Sequence, residues 1–170
     1  MSDIAIRDAK SSDIDKLVEL RLSLQHHVEA SNPMIWHITT EGVGLLKQGL
    51  EEAMRADQDR IIVATMNGEV IGFIHGQVSQ RTDYRPNVVG TVSNIYVQRE
   101  FRGRGVGRRL VQSLYQFFRA KNVEEVTLRF VIGNGEAEEF WIGLGFKPLI
   151  KTANARLKEL EGRIYTEGVR

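Results

Sequence analysis

The stretch that most limits what this chain can become is residues 94–110, NIYVQREFRGRGVGRRL. Ile95, Tyr96 and Val97 read as the end of a strand. Val106, Leu110, Val111, Leu114, Phe117 and Phe118 put an apolar face on a helix over 106–120. Gly103, Gly105 and Gly107 lie between strand and helix or at the helix start. The first amides of a helix have no intrahelical acceptor, and glycines leave them unshielded by any Cβ. With the helix dipole and Arg102, Arg104, Arg108 and Arg109 alongside, this is an anion site of the kind a pyrophosphate needs. No Gly-Lys-Ser/Thr follows, so it is not the usual P-loop. Arg108 stands where a G-x-G-x-x-G turn needs its last glycine, and the motif sits late in the chain instead of after a first strand. The plain alternative is a glycine-rich turn with solvated arginines.

The rest of the chain supplies a sheet and helices around this stretch. Residues 3–9 alternate as a first strand, and Ser11 to Asp13 are capping residues. Ile14, Leu17, Val18, Leu20, Leu22 and Leu24 predict a helix that ends near 30–33, before the Asn-Pro step. A loop over 32–40 carries Trp36 and His37, and a second helix runs from 40 to about 56. Residues 60–66 and 70–79 form a hairpin about Asn67-Gly68. A polar loop, 80–87, leads to a strand over 88–97. After the helix at 106–120 come a strand over 125–132, a short helix over 136–144 closed by Gly145, and a further strand over 147–152. In the last segment, 155–160 fits a helix and 162–167 fits a final strand.

The expected class is α/β: a mixed, mostly antiparallel twisted sheet flanked by helices, forming one domain over 1–170. A hydrophobic fraction of 42% is enough for a core. Lys plus Arg number 23 and Asp plus Glu 22, a net charge of +1 that argues against nucleic acid or membrane as partner. The arginines at 99–109 also lack interleaved stacking aromatics. There is no cysteine, which removes disulfides, thiolate metal sites and acyl-cysteine chemistry. No apolar run approaches the roughly 18 residues of a membrane span, and the first ten residues carry no signal-peptide core, so the expected location is cytoplasmic. His26-His27 and Glu29 do not suit a metal, because adjacent helical side chains diverge.

Arg102-x-x-Gly105-x-Gly107, placed after the strand Ile95-Tyr96-Val97 and before an apolar-faced helix, resembles the acyl-CoA signature of the GNAT family of N-acetyltransferases. A second segment is similar as well: Asn134 after a strand, then Ala137, Phe140-Trp141 and Leu144-Gly145-Phe146. The likeness covers roughly residues 3–150. It implies a GNAT-like acyl-CoA N-acyltransferase fold with acetyl-CoA as cofactor, CoA as product and no metal. It implies that the backbone of Ile95, Tyr96 and Val97 pairs with the pantetheine arm. Amides of Arg102, Gly103, Arg104, Gly105, Val106, Gly107 and Arg108 would hold the pyrophosphate. Asn134 would contact the pantetheine or nearby backbone, and Phe140 and Trp141 would line the thioester end. The sheet would open between the strands at 91–97 and 125–132. Homodimers occur in the family, and residues 153–170 are the expected place for such pairing.

Acyl transfer to an amine needs a proton acceptor for the ammonium, a donor for the developing oxyanion and a proton for the leaving thiolate. Many members of the family carry Glu or His where this chain has Thr91 or Ser93, and Tyr where it has Trp141. A hydroxyl orders water but is no base, and an indole N–H donates without being a useful acid. The catalytic candidates are therefore Ser93 and Trp141 by position and His75 by chemistry, since imidazole exchanges protons near neutrality. Against this, His75 also fits a satisfied sheet histidine. Trp36, Asp83, Tyr84 and Thr91 are the candidate acceptor contacts. Tyr115 and Phe118 read as helix packing.

The function expected is transfer of acetyl from acetyl-CoA to a primary amine, small molecule or protein, by direct attack in a ternary complex. The alternative is a weak or inactive acyl-CoA sensor on the same fold, motivated by the loss of both usual catalytic groups. A third reading is a glycine-loop domain for another nucleotide.

Overall fold

The computed structural model describes residues 3–166. By contacts the chain divides into two compact units, Met1–Gly135 and Glu136–Arg170. The first holds five strands, β1 (Ile4–Asp8), β2 (Asp59–Met66), β3 (Glu69–Gln80), β4 (Val88–Val97) and β5 (Glu125–Leu128). They lie in that order across one sheet. β1 to β4 pair antiparallel, and β4 pairs β5 in parallel through the intervening helix α3 (Val106–Ala120). Helices α1 (Ile14–Ser31) and α2 (Thr40–Arg55) precede the hairpin.

Side-chain alternation sorts the sheet into two faces. On one, Ile61, Val63 and Phe73 meet Ile14, Leu17 and Leu20 of α1 and Leu50 of α2, with Tyr96 packed against the cluster. On the other, α3 turns in Val106, Leu110, Leu114 and Phe118, all buried. The sheet admits α3 closely because it carries glycine there. A Cβ on Gly76 would lie 2.6 Å from Leu114, and one on Gly90 would lie 3.0 Å from Phe118. Phe118 is core as expected, whereas Tyr115 is 56% exposed. Position 115 follows Leu114 by one residue, about 100° around the helix, and so leaves the stripe 106, 110, 114, 118.

The strand expected over 125–132 ends at Leu128. The reason lies on α1. Asn32 Nδ2 donates to the Ile132 carbonyl at 3.0 Å, which draws residues 129–133 toward the end of that helix. Gly133 follows with φ +100°, and a Cβ there would lie 2.5 Å from the Ser31 carbonyl oxygen. The chain thus leaves the sheet at a contact that only glycine permits.

The second unit contains α4 from its second residue onward (α4 spans Gly135–Gly143) and α5 (Leu157–Thr166). Trp141 is buried, edge-on to Phe140 at 4.9 Å and to Phe146 at 5.2 Å between centroids. Phe146 N–H donates to the Trp141 carbonyl and Gly145 N–H to that of Ile142, with Gly145 at φ +94°. This is a Schellman cap with its hydrophobic contact, Phe146 on Trp141. The strand expected over 147–152 is absent, and 147–156 has no regular structure. The strand expected over 162–167 is a correction too: residues 162–166 continue α5, and 167 lies outside the described residues. Leu157, Leu160 and Ile164 recur at spacings of three and four, a helical period that 155–160 already showed.

No helix among the described residues is long and apolar enough to cross a membrane. Nor do the described residues contain a cluster of three or more His, Asp or Glu able to hold a metal ion.

Candidate functional site

The sheet opens where β4 outruns β5. Pairing extends from Val89–Glu125 to Val92–Leu128 and then stops. Over 94–97, β4 keeps β3 on one side and has no strand on the other among the described residues. Backbone polar groups facing that gap need partners, so this edge is open to an extended segment lying alongside it. At the mouth of the gap the β3–β4 register slips: His75 pairs with Asn94 but Gly76 with Val92. Ser93 is the extra residue of this bulge, and its side chain is exposed. A bulge disrupts the ladder locally and re-aims the groups beside it.

Past Val97 the chain makes a short 3-10 turn, Arg99–Phe101, and enters the glycine loop. Arg102 joins the loop to the strand. Its Nε donates to the Val97 carbonyl at 3.0 Å, and its guanidinium lies 5.4 Å from the Tyr96 ring centroid. Gly103 and Gly105 both sit in the left-handed region, at φ +72° and +76°. The first helical bond of α3 runs from Arg109 N–H to the Gly105 carbonyl. The six amides from Gly103 to Arg108 consequently have no acceptor among the described residues. They cluster at a helix N-terminus whose dipole favours an anion. Gly103, Arg104, Gly105, Arg108 and Arg109 are exposed, and Arg104 rests over the Phe101 ring.

The face of the sheet toward α1 and α2 is the second wall. Phe73 is fully buried there, Gln77 is exposed, and His75 lies between them. His75 Nε2 is 2.6 Å from Asp59 Oδ1. Thr91 pairs with Thr127 across β4 and β5, their hydroxyls 3.4 Å apart.

The loop between α1 and α2 is held by Glu29. Its carboxylate accepts from Gln25 Nε2 and from Ile38 N–H, and His37 lies 3.3 Å away. These contacts, Gln25 foremost, hold the Glu29 carboxyl at about 2. Gln25 also donates to the Trp36 carbonyl, yet the Trp36 ring is 71% exposed. The loop is tied down while its indole faces water. Asp83 and Tyr84 occupy the separate loop 81–87, closed by Arg81 N–H to the Asn87 carbonyl, and both are exposed.

The structure therefore joins Ile95–Val97 to Gly103–Arg108 as one continuous rim, and sets His75 opposite Asn94, one residue past Ser93. Asn134 is buried at the end of the segment that follows β5, its own N–H bonded to the Val131 carbonyl. Phe140 and Trp141 belong to the second unit, where they pack on each other. Sequence reasoning missed Asp59. Counting register outward from the Asn67-Gly68 turn would have set residue 59 opposite 76, one residue off the true partner Gln77 because of the bulge at Ala64/Thr65.

A family model described as "Acetyltransferase (GNAT) family" matches residues 22–146. An uncharacterised N-acetyltransferase of Methanocaldococcus jannaschii is 29% identical over 94 residues, 55% of this chain and 42% of the relative. One from Archaeoglobus fulgidus is 27% identical over 85 residues, covering 50% and 58%. This chain spans about half the length of these two relatives. An L-methionine sulfoximine/L-methionine sulfone acetyltransferase of Pseudomonas aeruginosa is 25% identical over 146 residues, 84% of this chain and 80% of that one. Among solved structures, the aminoglycoside N-acetyltransferase AAC(6')-Iy in complex with CoA superposes with a TM-score of 0.71 at 21% identity, over 92% and 95% of the two chains. A tetramutant protein from Bacillus halodurans gives 0.79 at 18% identity, over 90% and 99%. At these identities the structural likeness speaks to the fold.

Proposed function

The chain belongs to the GNAT acetyltransferase family, and on that premise we propose that it transfers an acetyl group from acetyl-CoA to a primary amine by direct attack. The observation that carries this reading is the run of six unpartnered amides, Gly103 to Arg108, beside an unpaired β4 edge. A diphosphate fits the first and an amide-bearing arm fits the second. Bound there, acetyl-CoA supplies an activated acetyl thioester. The amides of 103–108 hold the diphosphate, assisted by the exposed Arg104 and Arg108. The backbone of Ile95, Tyr96 and Val97 orients the pantetheine as a strand partner, and Asn134 closes the far wall. The bulge at Ser93 stands at the mouth of the opening.

The acceptor enters from the face shared with α1 and α2. Trp36 offers it an exposed ring on a tethered loop, Thr91 a hydroxyl, and Asp83 and Tyr84 a carboxylate and a phenol from the neighbouring loop. The Pseudomonas relative is named for amino-acid acceptors and AAC(6')-Iy for aminoglycosides. Small amines of both kinds are therefore the first acceptors to try. An acyl-CoA sensor is the second reading, favoured by Thr91, Ser93 and Trp141 at the usual catalytic positions.

The test is calorimetric titration with acetyl-CoA, CoA, ATP and NAD in parallel, followed by a panel of amines with thiol detection. Selective binding of acetyl-CoA or CoA and acceptor-dependent thiol release support the enzyme. Binding without release across the panel supports the sensor. Absence of CoA binding ends both.

A further inference from the structure

We propose that Asp59 and His75 form the proton-accepting pair of this acyl transfer, with Asp59 as positioning residue and His75 Nδ1 as the base. This rests on the acetyltransferase reading and names the group that reading lacks.

The pair is built by the β2–β3 hairpin. Asp59 and Gln77 are Cα partners, as are Ile61 and His75, so all four side chains stand on the α1/α2 face. Along that face the environment passes from core to water: Phe73 is fully buried, the His75 side chain is 17% exposed, and Gln77 is exposed. The Asp59 side chain is only 9% exposed. Both of its oxygens are engaged, Oδ1 with His75 Nε2 at 2.6 Å and Oδ2 with Gln77 Nε2 at 3.3 Å. An ionised carboxylate only accepts hydrogen bonds, so the ring proton sits on Nε2 and the Nδ1 lone pair is left over. Nδ1 has no partner among the described residues. It is not sealed from water either, since the buried, unpartnered side-chain nitrogen among them is Arg81 Nε. A carboxylate that locks one ring nitrogen and leaves the other open is the arrangement by which an acid positions a histidine base.

The place suits the reaction. His75 is the Cα partner of Asn94, which follows the bulged Ser93, and β4 and β5 part after Val92 and Leu128. The imidazole therefore lies one strand from the opening. The titratable side chains along β3 and β4 are Glu69, His75 and Tyr96. Glu69 is at the hairpin end, paired with Met66, and Tyr96 is packed in the core under Arg102. Only His75 is at the mouth.

The step is a proton transfer. The acceptor ammonium gives one proton to Nδ1 and becomes a neutral amine with its lone pair free. His75 becomes an imidazolium beside the Asp59 carboxylate and later passes the proton to water. The charged group held against the ring is Asp59 from β2. On α1 the charged residue at the spacing of the buried Leu17 and Leu20 is Arg21, whose guanidinium burial holds below its ordinary pKa. β4 contributes the neutral Asn94, and α2 contributes Leu50, Ala53 and Met54 to the same face.

The experiment compares wild type with His75→Ala, His75→Gln and Asp59→Asn. It uses acetyl-CoA and whichever panel amine drives thiol release best. Nitrogen-15 NMR of the imidazoles in the free protein should show His75 protonated on Nε2, with mixed tautomers in Asp59→Asn. His75→Ala should lower kcat on the order of 100-fold or more, with acetyl-CoA Kd within about twofold, the scatter expected away from the binding contacts. It should also lose the acid limb of the kcat/KM profile, and added imidazole should restore turnover, which no packing role would allow. His75→Gln keeps a donor for Asp59 and should show the same loss if the alanine variant folds poorly. A proton on Nδ1 in wild type, or kcat retained in both His75 variants, overturns the pair. Wild type that binds acetyl-CoA yet releases no thiol with any amine overturns the acyl-transfer reading, and the pair with it. Where wild type turns over, a failure belongs to the pair alone.

Discussion

Replacing Gly105 by alanine isolates the backbone requirement of the diphosphate site. Gly105 sits at φ +76° and ψ 4° immediately before α3. A Cβ there meets nothing within 4 Å, so crowding contributes nothing and the cost is conformational. For an L-residue that cost is roughly 1–2 kcal/mol. The free loop is exposed and can relax to negative φ, and binding then has to restore the left-handed turn that aligns the amides. At 1.4 kcal/mol per factor of ten, the Kd for CoA should rise about 5- to 30-fold. The urea midpoint should hardly move. If the loop instead stays rigid, the same free energy appears as lost stability, so the two losses together should reach roughly 1–2 kcal/mol. Calorimetry and urea unfolding on one preparation close the balance. A D-alanine at 105, introduced by semisynthesis, prefers positive φ and should bind like wild type. An L-alanine variant with unchanged Kd and unchanged stability refutes the reasoning. Gly103, at φ +72° and equally open, should behave alike.

Gly76→Ala forces a methyl to 2.6 Å from Leu114 and 2.9 Å from Phe118, both buried, so urea unfolding should show a loss of about 1–3 kcal/mol. Because α3 carries the diphosphate amides, CoA affinity should fall with it. Asp13 accepts from Arg7 at 2.6 and 2.9 Å and from Lys10 N–H, and these bonds, Arg7 first, lower its pKa. A lowered carboxyl pKa gives stability that is full above the unfolded value near 3.9 and lost as pH falls through the folded one. Asp13→Asn should therefore cost about 2 kcal/mol at pH 7 and flatten the acid limb of the stability curve below pH 4. Gly49 lies inside α2 with open space at its Cβ, so Gly49→Ala should add about 0.5–1 kcal/mol and raise Tm. Trp36→Ala should raise the acceptor KM while leaving the acetyl-CoA Kd unchanged, and an unaltered KM would remove Trp36 from the acceptor site.

Local chemistry determined much of this protein. The strand read over 88–97 and the stripe 106, 110, 114, 118 mark β4 and α3 at the bounds the structure shows, and for α3 the interior face is written into the spacing itself. The glycines at 103 and 105 announce positive φ, since few other residues tolerate it. The cap at Leu144-Gly145-Phe146 is legible for the same reason. What the tertiary structure alone decided depends on partners distant in the chain. β5 stops at Leu128 because Asn32, a hundred residues earlier, takes the Ile132 carbonyl and Ser31 leaves room only for Gly133. His75 acquires Asp59 through a hairpin register shifted by one bulge, and Ser93 becomes an exposed extra residue through another. Spacing along a chain reports which face a residue occupies. Which group meets it there is set by strand register and by where α1 and α3 come to rest on the sheet.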